Sequence, residues 1–364
     1  MKLISVLSSL VLGVATLSAA LPAADYGQST TTKGCTKPMI RKDWRTLSQK
    51  QKINYLDAVK CLMHTPGKKT GIVSRFEDFL TEHQEKTAMV HFNAVFLPWH
   101  RLLLYEMERV LRSECGYRGA IPYWDMKQDV ADFLASPVLN GRVSFGGNGL
   151  PSPDALPPYN TTAGGAITDG WFAGELIHVG IGNDTSPALR NITRNISQHY
   201  ASAWLTQKQE DTVLSETDFG EFTLSLEGRL QLDPVKYAEI WGVHAGGHRA
   251  VGGDMQNAWS SPSDPLFYLH HANLDRIWAT WQAANPEDRQ WQMMGPIAPR
   301  APFLGTWPYT PPAGNVTLDY VLDLGELGGD RLNVRVARVM DTSGSMPEDD
   351  EDEALLCYLY DQLA

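Results

Sequence analysis

Histidines carry the chemistry that this chain's residue pattern offers. His244 and His248 are four residues apart, so on a helix their imidazoles project from one side about one turn apart and can reach one metal ion. Gly252-Gly253 ends that helix, and Asp264-Pro265 starts another, with Asp264 as N-cap and proline at the first position. The second helix carries His270 and His271. Adjacent helical residues diverge by roughly 100°, so only one of the pair can share the metal with His244 and His248. Three ligands on two antiparallel helices is the expected arrangement.

A second set lies upstream. His83, His91 and His100 follow one another at intervals of eight and nine residues. Nine residues turn a helix through about 900°, half a turn out of phase, so the three converge only from at least two segments, and Pro98 marks a break between them. Three imidazoles from this pair of helices would face three from the later pair. Six neutral nitrogen ligands without a thiolate suit copper, although zinc and iron also accept imidazole. Facing helices that each donate inward ligands are an established way to build a two-metal site. His64, His178 and His199 stand outside both sets and read as ordinary residues.

The elements that must position these ligands are helical. Ser48 caps a segment from Gln49 to Leu62 whose apolar residues recur at helical spacing, and a second segment runs from Ser74 and carries His83. Arg101 to Arg112 is the clearest helix, with His100 on its first turn. The Gly- and Pro-rich stretch between Asp129 and Gly182 reads as long loops shaping a substrate rim. Short strands such as Leu332 to Val339 follow, and Pro347 to Glu353 is an exposed acidic loop. The expected class is therefore mainly α: a central antiparallel four-helix bundle holding the metals, with long loops and a few short strands.

With 364 residues, 43% of them hydrophobic, the chain can bury a large core. Its net charge of −11 and the lack of a basic stripe argue against nucleic acid as a partner. Residues 1–20 read as a secretory signal: Met1-Lys2, an apolar run, then Ser18-Ala19-Ala20. That run is too short for an anchor, and no later segment reaches the ~20 apolar residues that span a bilayer. Residues 21–364 are expected to be one exported catalytic domain. Sequons at Asn160, Asn183, Asn191, Asn195 and Asn315 fit that route. Four cysteines allow three pairings. The expected one joins Cys35 to Cys357, tying the chain ends, and Cys61 to Cys115.

The motifs Phe96-Leu-Pro-Trp-His100-Arg and Asp264-Pro-Leu-Phe-Tyr-Leu-His-His271-Ala-Asn-Leu-Asp275-Arg, with the histidine spacings, resemble the two copper signatures of the tyrosinase and catechol oxidase family. The similarity to short secreted fungal members runs from about Cys35 to Tyr360. It implies a coupled binuclear type 3 site, with copper A on His83, His91 and His100 and copper B on His244, His248 and His271. Dioxygen is then the co-substrate, and small phenols are the partners. The resemblance leaves His270 in the outer shell, where Asp275 is a candidate hydrogen-bond acceptor and Phe96 and Phe267 pack against the ligand rings. Cys357-Tyr358-Leu359-Tyr360 resembles the Tyr-x-Tyr close of the catalytic domain, expected to pack on Arg41 or Arg45. Long members continue into a lid domain; this chain ends four residues later, so no covalent lid is expected.

In the family, monophenol hydroxylation is favoured by an Asn directly after the first copper B histidine, working with a Glu that orients a water. Ala245 occupies the Asn position. Glu227 is the candidate Glu, and Glu239 a weaker one. The expected activity is oxidation of ortho-diphenols to ortho-quinones with weak or no monophenol hydroxylation. A true tyrosinase, an ortho-aminophenol oxidase and, more remotely, an oxygen carrier are the alternatives. Arg249 should border the entrance, and Phe267, Trp259, Ser260 and Leu304 should shape the pocket. Many members also join a cysteine two residues before a copper A histidine to that ring; Thr81 and Met89 stand there instead. Intact-mass measurement should therefore show no loss of two hydrogens beyond those of the disulfides.

Overall fold

A computed structural model describes residues 35–152, 163–229, 241–299, 310, 312–327, 334–348 and 350–364. The signal segment, Asn160, Glu239 and Leu304 lie outside these residues. Helices α1 (Gln49–His64) and α2 (Arg75–Val90) each begin in a capping box, a reciprocal pair of side-chain bonds that satisfies two orphan N–H groups. Ser48 pairs with Gln51 and Ser74 with Glu77. Helix α3 (Phe96–Cys115) ends at Gly116, whose φ of 65° closes it in the left-handed region. Three shorter helices follow: α4 (Gln198–Trp204), α5 (Gln207–Leu214) and α6 (Phe219–Glu227). Helices α7 (Gly242–Val251) and α8 (Leu266–Ala284) come next, followed by the single turn of α9 (Pro286–Arg289). The bundle consists of α2, α3, α7 and α8, with α1 packed on α2 and α3.

Two boundaries differ from expectation. The break between His83 and His100 falls at residues 91–95, not at Pro98, which is the third residue of α3. A proline there costs no hydrogen bond, because the first N–H groups of a helix have no intrahelical partner. Helix α8 begins at Leu266 with Pro265 at the cap. Asp264 still accepts the Leu266 N–H at 3.0 Å and forms a bidentate pair with the wholly buried Arg194, at 2.6 and 2.9 Å.

The described residues of the Asp129–Gly182 stretch fold into turns and small sheets, and none of them lines the cavity beside the histidines. Strands β2 (Gly149–Ser152), β3 (Ala163–Ile167) and β6 (Thr193–Arg194) form one antiparallel sheet, and β4 (Leu176–Val179) pairs with β5 (Pro187–Asn191). Its glycines serve close packing: a Cβ on Gly149 would lie 2.1 Å from the Gly165 carbonyl oxygen. Later in the chain, β7 (Val321–Leu322) pairs with β8 (Val334–Arg335), and a 3-10 turn occupies Val336–Val339.

The two ends of the described chain meet in a parallel pair, β1 (Met39–Arg41) with β9 (Tyr358–Tyr360), beside the Cys35–Cys357 disulfide. The second disulfide joins Cys61 of α1 to Cys115 of α3. Of the two arginines expected beneath Tyr358 and Tyr360, Arg41 is the one found there; Arg45 pairs with Asp129. The Arg41 guanidinium lies 3.6 Å from the Tyr358 ring centroid and donates to Asp275 at 3.1 Å. Asp275 also accepts from Arg101, from the Tyr358 hydroxyl at 2.6 Å and from the Tyr360 hydroxyl at 2.5 Å. It therefore locks α3, α8 and the paired strands β1 and β9 together and does not support a ligand histidine. Every polar atom of its carboxylate is spent on arginine and tyrosine.

Burial alone would raise the Asp275 pKa, but Arg101, Arg41 and the two tyrosine hydroxyls outweigh it and hold the carboxyl below its usual value. A depressed folded pKa contributes stability that is complete above the unfolded value of about 3.9. That contribution is lost as pH falls through the lower folded value. Asp275→Ala should cost about 3–5 kcal/mol in urea unfolding, the scale for breaking a buried ion pair. Asp275→Asn should flatten the acid limb of stability that wild type shows below about pH 4.

Candidate metal centre

Helix register brings the seven expected imidazoles into one buried cluster. His83 and His100 project from α2 and α3, and His91 caps α2. The ring centroids of these three lie 4.9 to 5.6 Å apart. His244 and His248, one turn apart on α7, and His271 of α8 form a second triangle with centroids 4.7 to 5.3 Å apart. The triangles face each other, with His100 stacked on His271 at 4.4 Å and His91 on His244 at 5.9 Å.

Backbone carbonyls set the tautomers. The Nδ1 atoms of His83, His91, His100 and His248 lie 2.8, 2.9, 2.8 and 2.7 Å from the carbonyl oxygens of Trp259, Thr87, Phe96 and Met255. A carbonyl can only accept, so each Nδ1 carries the proton and each Nε2 keeps its lone pair for the interior. The Nε2 atoms of His83, His100 and His244 are buried with no hydrogen-bond partner. The Nε2 atoms of His248 and His271 approach to 3.2 Å. Leaving a buried acceptor unsatisfied costs about 1–3 kcal/mol, so several such nitrogens converging on one volume mark a cation site. Burial, reinforced by neighbouring imidazoles in most cases, pushes every one of these histidines below the usual range, His91 to about 4. They are neutral at pH 7, the form that binds metal.

His270 resolves the adjacent pair. Its Nε2 lies 3.0 Å from the His244 carbonyl oxygen, which turns the ring behind α7 while His271 faces the cluster. Gly247 makes the room: a Cβ there would lie 2.3 Å from His270 Cε1. Phe96 packs on His100 and His244 at 4.7 and 4.6 Å, and Phe267 on His83 and His271 at 5.1 and 4.1 Å.

A cavity of about 180 Å³ opens beside His91, His244 and His248. Phe92, Trp241, Ala245 and Arg249 line it, with Met255, Ala258 and Ser261. Of the expected pocket residues, Ala245 and Arg249 are in place. Arg249 stacks 3.6 Å above the Trp241 ring and donates to the Tyr200 hydroxyl at 3.2 Å. The other three are elsewhere. Phe267 is wholly buried beneath the rings, because a helix position four before a ligand shares its inward face. Trp259 serves through its carbonyl, and Ser260 is buried where its hydroxyl accepts the Gly182 N–H at 3.3 Å. Glu227 is buried behind the cavity wall and accepts the Phe92 N–H at 2.9 Å.

Phe92, Trp241 and Tyr200 escaped sequence reasoning; only adjacency to His91 pointed at the first. His64 and His178 pair with Glu175 and Glu77, and His199 is exposed, all away from the cluster. Asn183, Asn191 and Asn315 are exposed, whereas Asn195 is half-buried with its Oδ1 shut in.

Residues 73–284, more than half the chain, match the family model for the common central domain of tyrosinase. The chain belongs to the tyrosinase family. A tyrosinase-like protein of Diaporthe leptostromiformis is 30% identical over 349 residues, 92% of this chain and 81% of that one. The N-acetyl-6-hydroxytryptophan oxidase of Emericella nidulans is 29% identical, with 84% and 90% covered. Among solved structures, a point mutant of polyphenol oxidase from Thermothelomyces thermophila superposes with a TM-score of 0.74 at 28% identity, covering 90% of this chain and 89% of that one.

As a tyrosinase-family member this chain is an oxidoreductase, a type 3 copper oxidase that uses dioxygen at a binuclear copper site. The residues present fit that group. Both groups are all-imidazole and neutral: ligand atoms of His83, His91 and His100 lie within 4.8 Å of one another, and so do those of His244, His248, His271 and His270. No thioether can accompany them, since all four cysteines are in disulfides. His248→Ala should lower bound copper from about two ions per chain toward one by metal analysis, while His199→Ala, at an exposed position, should leave it unchanged.

Proposed function

We propose that this tyrosinase-family oxidase converts ortho-diphenols to ortho-quinones in preference to hydroxylating monophenols. Copper A is assigned to His83, His91 and His100 and copper B to His244, His248 and His271. When bound, the two ions supply the redox chemistry, in which two diphenols each give up two electrons and two protons while one dioxygen is reduced to two waters. The chain's own residues do the rest. Carbonyls at Nδ1 keep the Nε2 atoms of His83, His91, His100 and His248 deprotonated. The apolar cavity beside His91, His244 and His248 admits a phenol ring and excludes water, with Phe92 and Trp241 offering aromatic faces.

The observation that carries the preference is Ala245. It lines the cavity next to His244 and offers no side-chain hydrogen bond. Deprotonating a monophenol needs a positioned base or water. Glu227, the candidate for orienting that water, spends Oε1 on a backbone N–H and has no amide opposite it at position 245. A diphenol is more acidic and can approach both metals, so it depends less on such a pair. Arg249 at the mouth favours phenols that carry an acidic group. It also supports a second reading, hydroxylated aromatic amino acids, in line with the name of the Emericella nidulans relative.

Export is proposed on the same footing. The leader-like first twenty residues, two disulfides and exposed sequons at Asn183, Asn191 and Asn315 support it. No helix among the described residues is long and apolar enough to cross a membrane.

Copper-loaded protein should turn over 4-methylcatechol at least about tenfold faster than tyramine, with 3,4-dihydroxyphenylpropionate favoured through a lower KM. Ala245→Asn should raise tyramine hydroxylation about tenfold. Equal wild-type turnover of tyramine and 4-methylcatechol without a lag would reject the preference.

A further inference from the structure

Phe92 is the one non-glycine among the described residues with a left-handed backbone, at φ 57°. A bulky side chain at such an angle is strained, and glycine would serve the turn without cost. Strain of this kind persists where surrounding contacts over-determine it and where the side chain has a use. Both conditions are met. The ring of Phe92 is half-buried and lines the cavity, 6.4 Å from the ring of His91. The rest of the turn is held by the buried Asn93. Its Oδ1 accepts the Val95 N–H at 3.0 Å, and its Nδ2 donates to the carbonyls of Met89 and Ile297 at 2.7 and 3.0 Å.

The group that holds Phe92 itself is Glu227, whose Oε1 accepts the Phe92 N–H at 2.9 Å. Glu227 is the last residue of α6 and is 1% exposed. A helix C-terminus carries partial negative charge, so a buried carboxylate there gains nothing from its own helix. Its position is explained by the turn it reaches across 135 residues of sequence to hold.

We propose that Phe92 is a specificity-determining wall of the substrate cavity, and that Glu227 is the positioning residue that clamps its left-handed backbone and, through it, the ring of His91. The wall faces the ring substituent of a bound phenol beside Trp241 and Arg249, so it admits flat or unbranched substituents and opposes branched ones. The substrate half of this inference rests on the copper oxidase reading; the clamp half does not.

The test is a cycle of variants read without turnover, by thermal melting of the copper-free protein and by copper per chain after loading. Glu227→Leu should lower the melting midpoint and reduce copper from about two toward one. Glu227→Gln keeps an oxygen acceptor and should retain both values. Phe92→Gly should melt at or above wild type, and adding it to Glu227→Leu should restore the midpoint and the copper content. A Glu227→Leu protein that matches wild type in both readouts overturns the clamp. So does a Glu227→Gln protein as damaged as Glu227→Leu, or a double variant that is not restored. In the loaded enzyme, Phe92→Gly should shift the KM ratio between 4-tert-butylcatechol and 4-methylcatechol about tenfold toward the branched substrate; an unchanged ratio overturns the wall. If wild type binds no copper, the oxidase reading fails while the melting cycle still decides the clamp.

Discussion

Imidazole lone pairs cannot be left facing a dry interior without compensation, and the middle of this molecule is organised by that constraint. Each ring must be deprotonated at Nε2, turned inward and kept from rotating. A backbone carbonyl at Nδ1 meets all three needs for His83, His91, His100 and His248. Two of those carbonyls, from Thr87 and Phe96, lie four residues before the histidine they hold. The other two, from Trp259 and Met255, come from the segment between α7 and α8, so that connection contributes to both triads. Phe96 and Phe267 pack against the rings of His244 and His271.

Holding four helices in register requires interactions outside the cluster. Asp275 supplies one set, because its carboxylate gathers Arg101 from α3, Arg41 from the first strand and two tyrosines from the last. A single buried charge thus closes the bundle at one end. Asp264 with Arg194 ties the start of α8 to strand β6. Glycine supplies the complementary device. With Gly247 between the α7 ligands, α7 and α8 approach closely enough for His270 to bond the His244 carbonyl.

The cavity and the histidine cluster share helix α7. Ala245 and Arg249 sit on the same helix as His244 and His248, so a change at either alters the cavity while the cluster stays intact. Phe92 and Glu227 couple the cavity wall to the copper A side through one hydrogen bond between distant segments.

The amino-acid sequence by itself determined the two groups of histidines, the helices that carry them and the order in which they occur, while the choice between His270 and His271 waited for the structure. Those follow from local rules: Ser48 and Ser74 start helices because their hydroxyls can accept an orphan N–H, and His244 and His248 share a face because a turn is 3.6 residues. Only the tertiary structure decided the role of Asp275, the break at Phe92 in preference to Pro98, and the partner of Glu227. Each depends on what approaches from a distant segment. Asp275 one turn beyond His271 could have faced a ligand ring, but Arg41 and Arg101 arrive on its side of α8 and a carboxylate goes to the nearest buried cation. Spacing along a chain specifies direction along one helix; what that direction meets is set by the packing of the others.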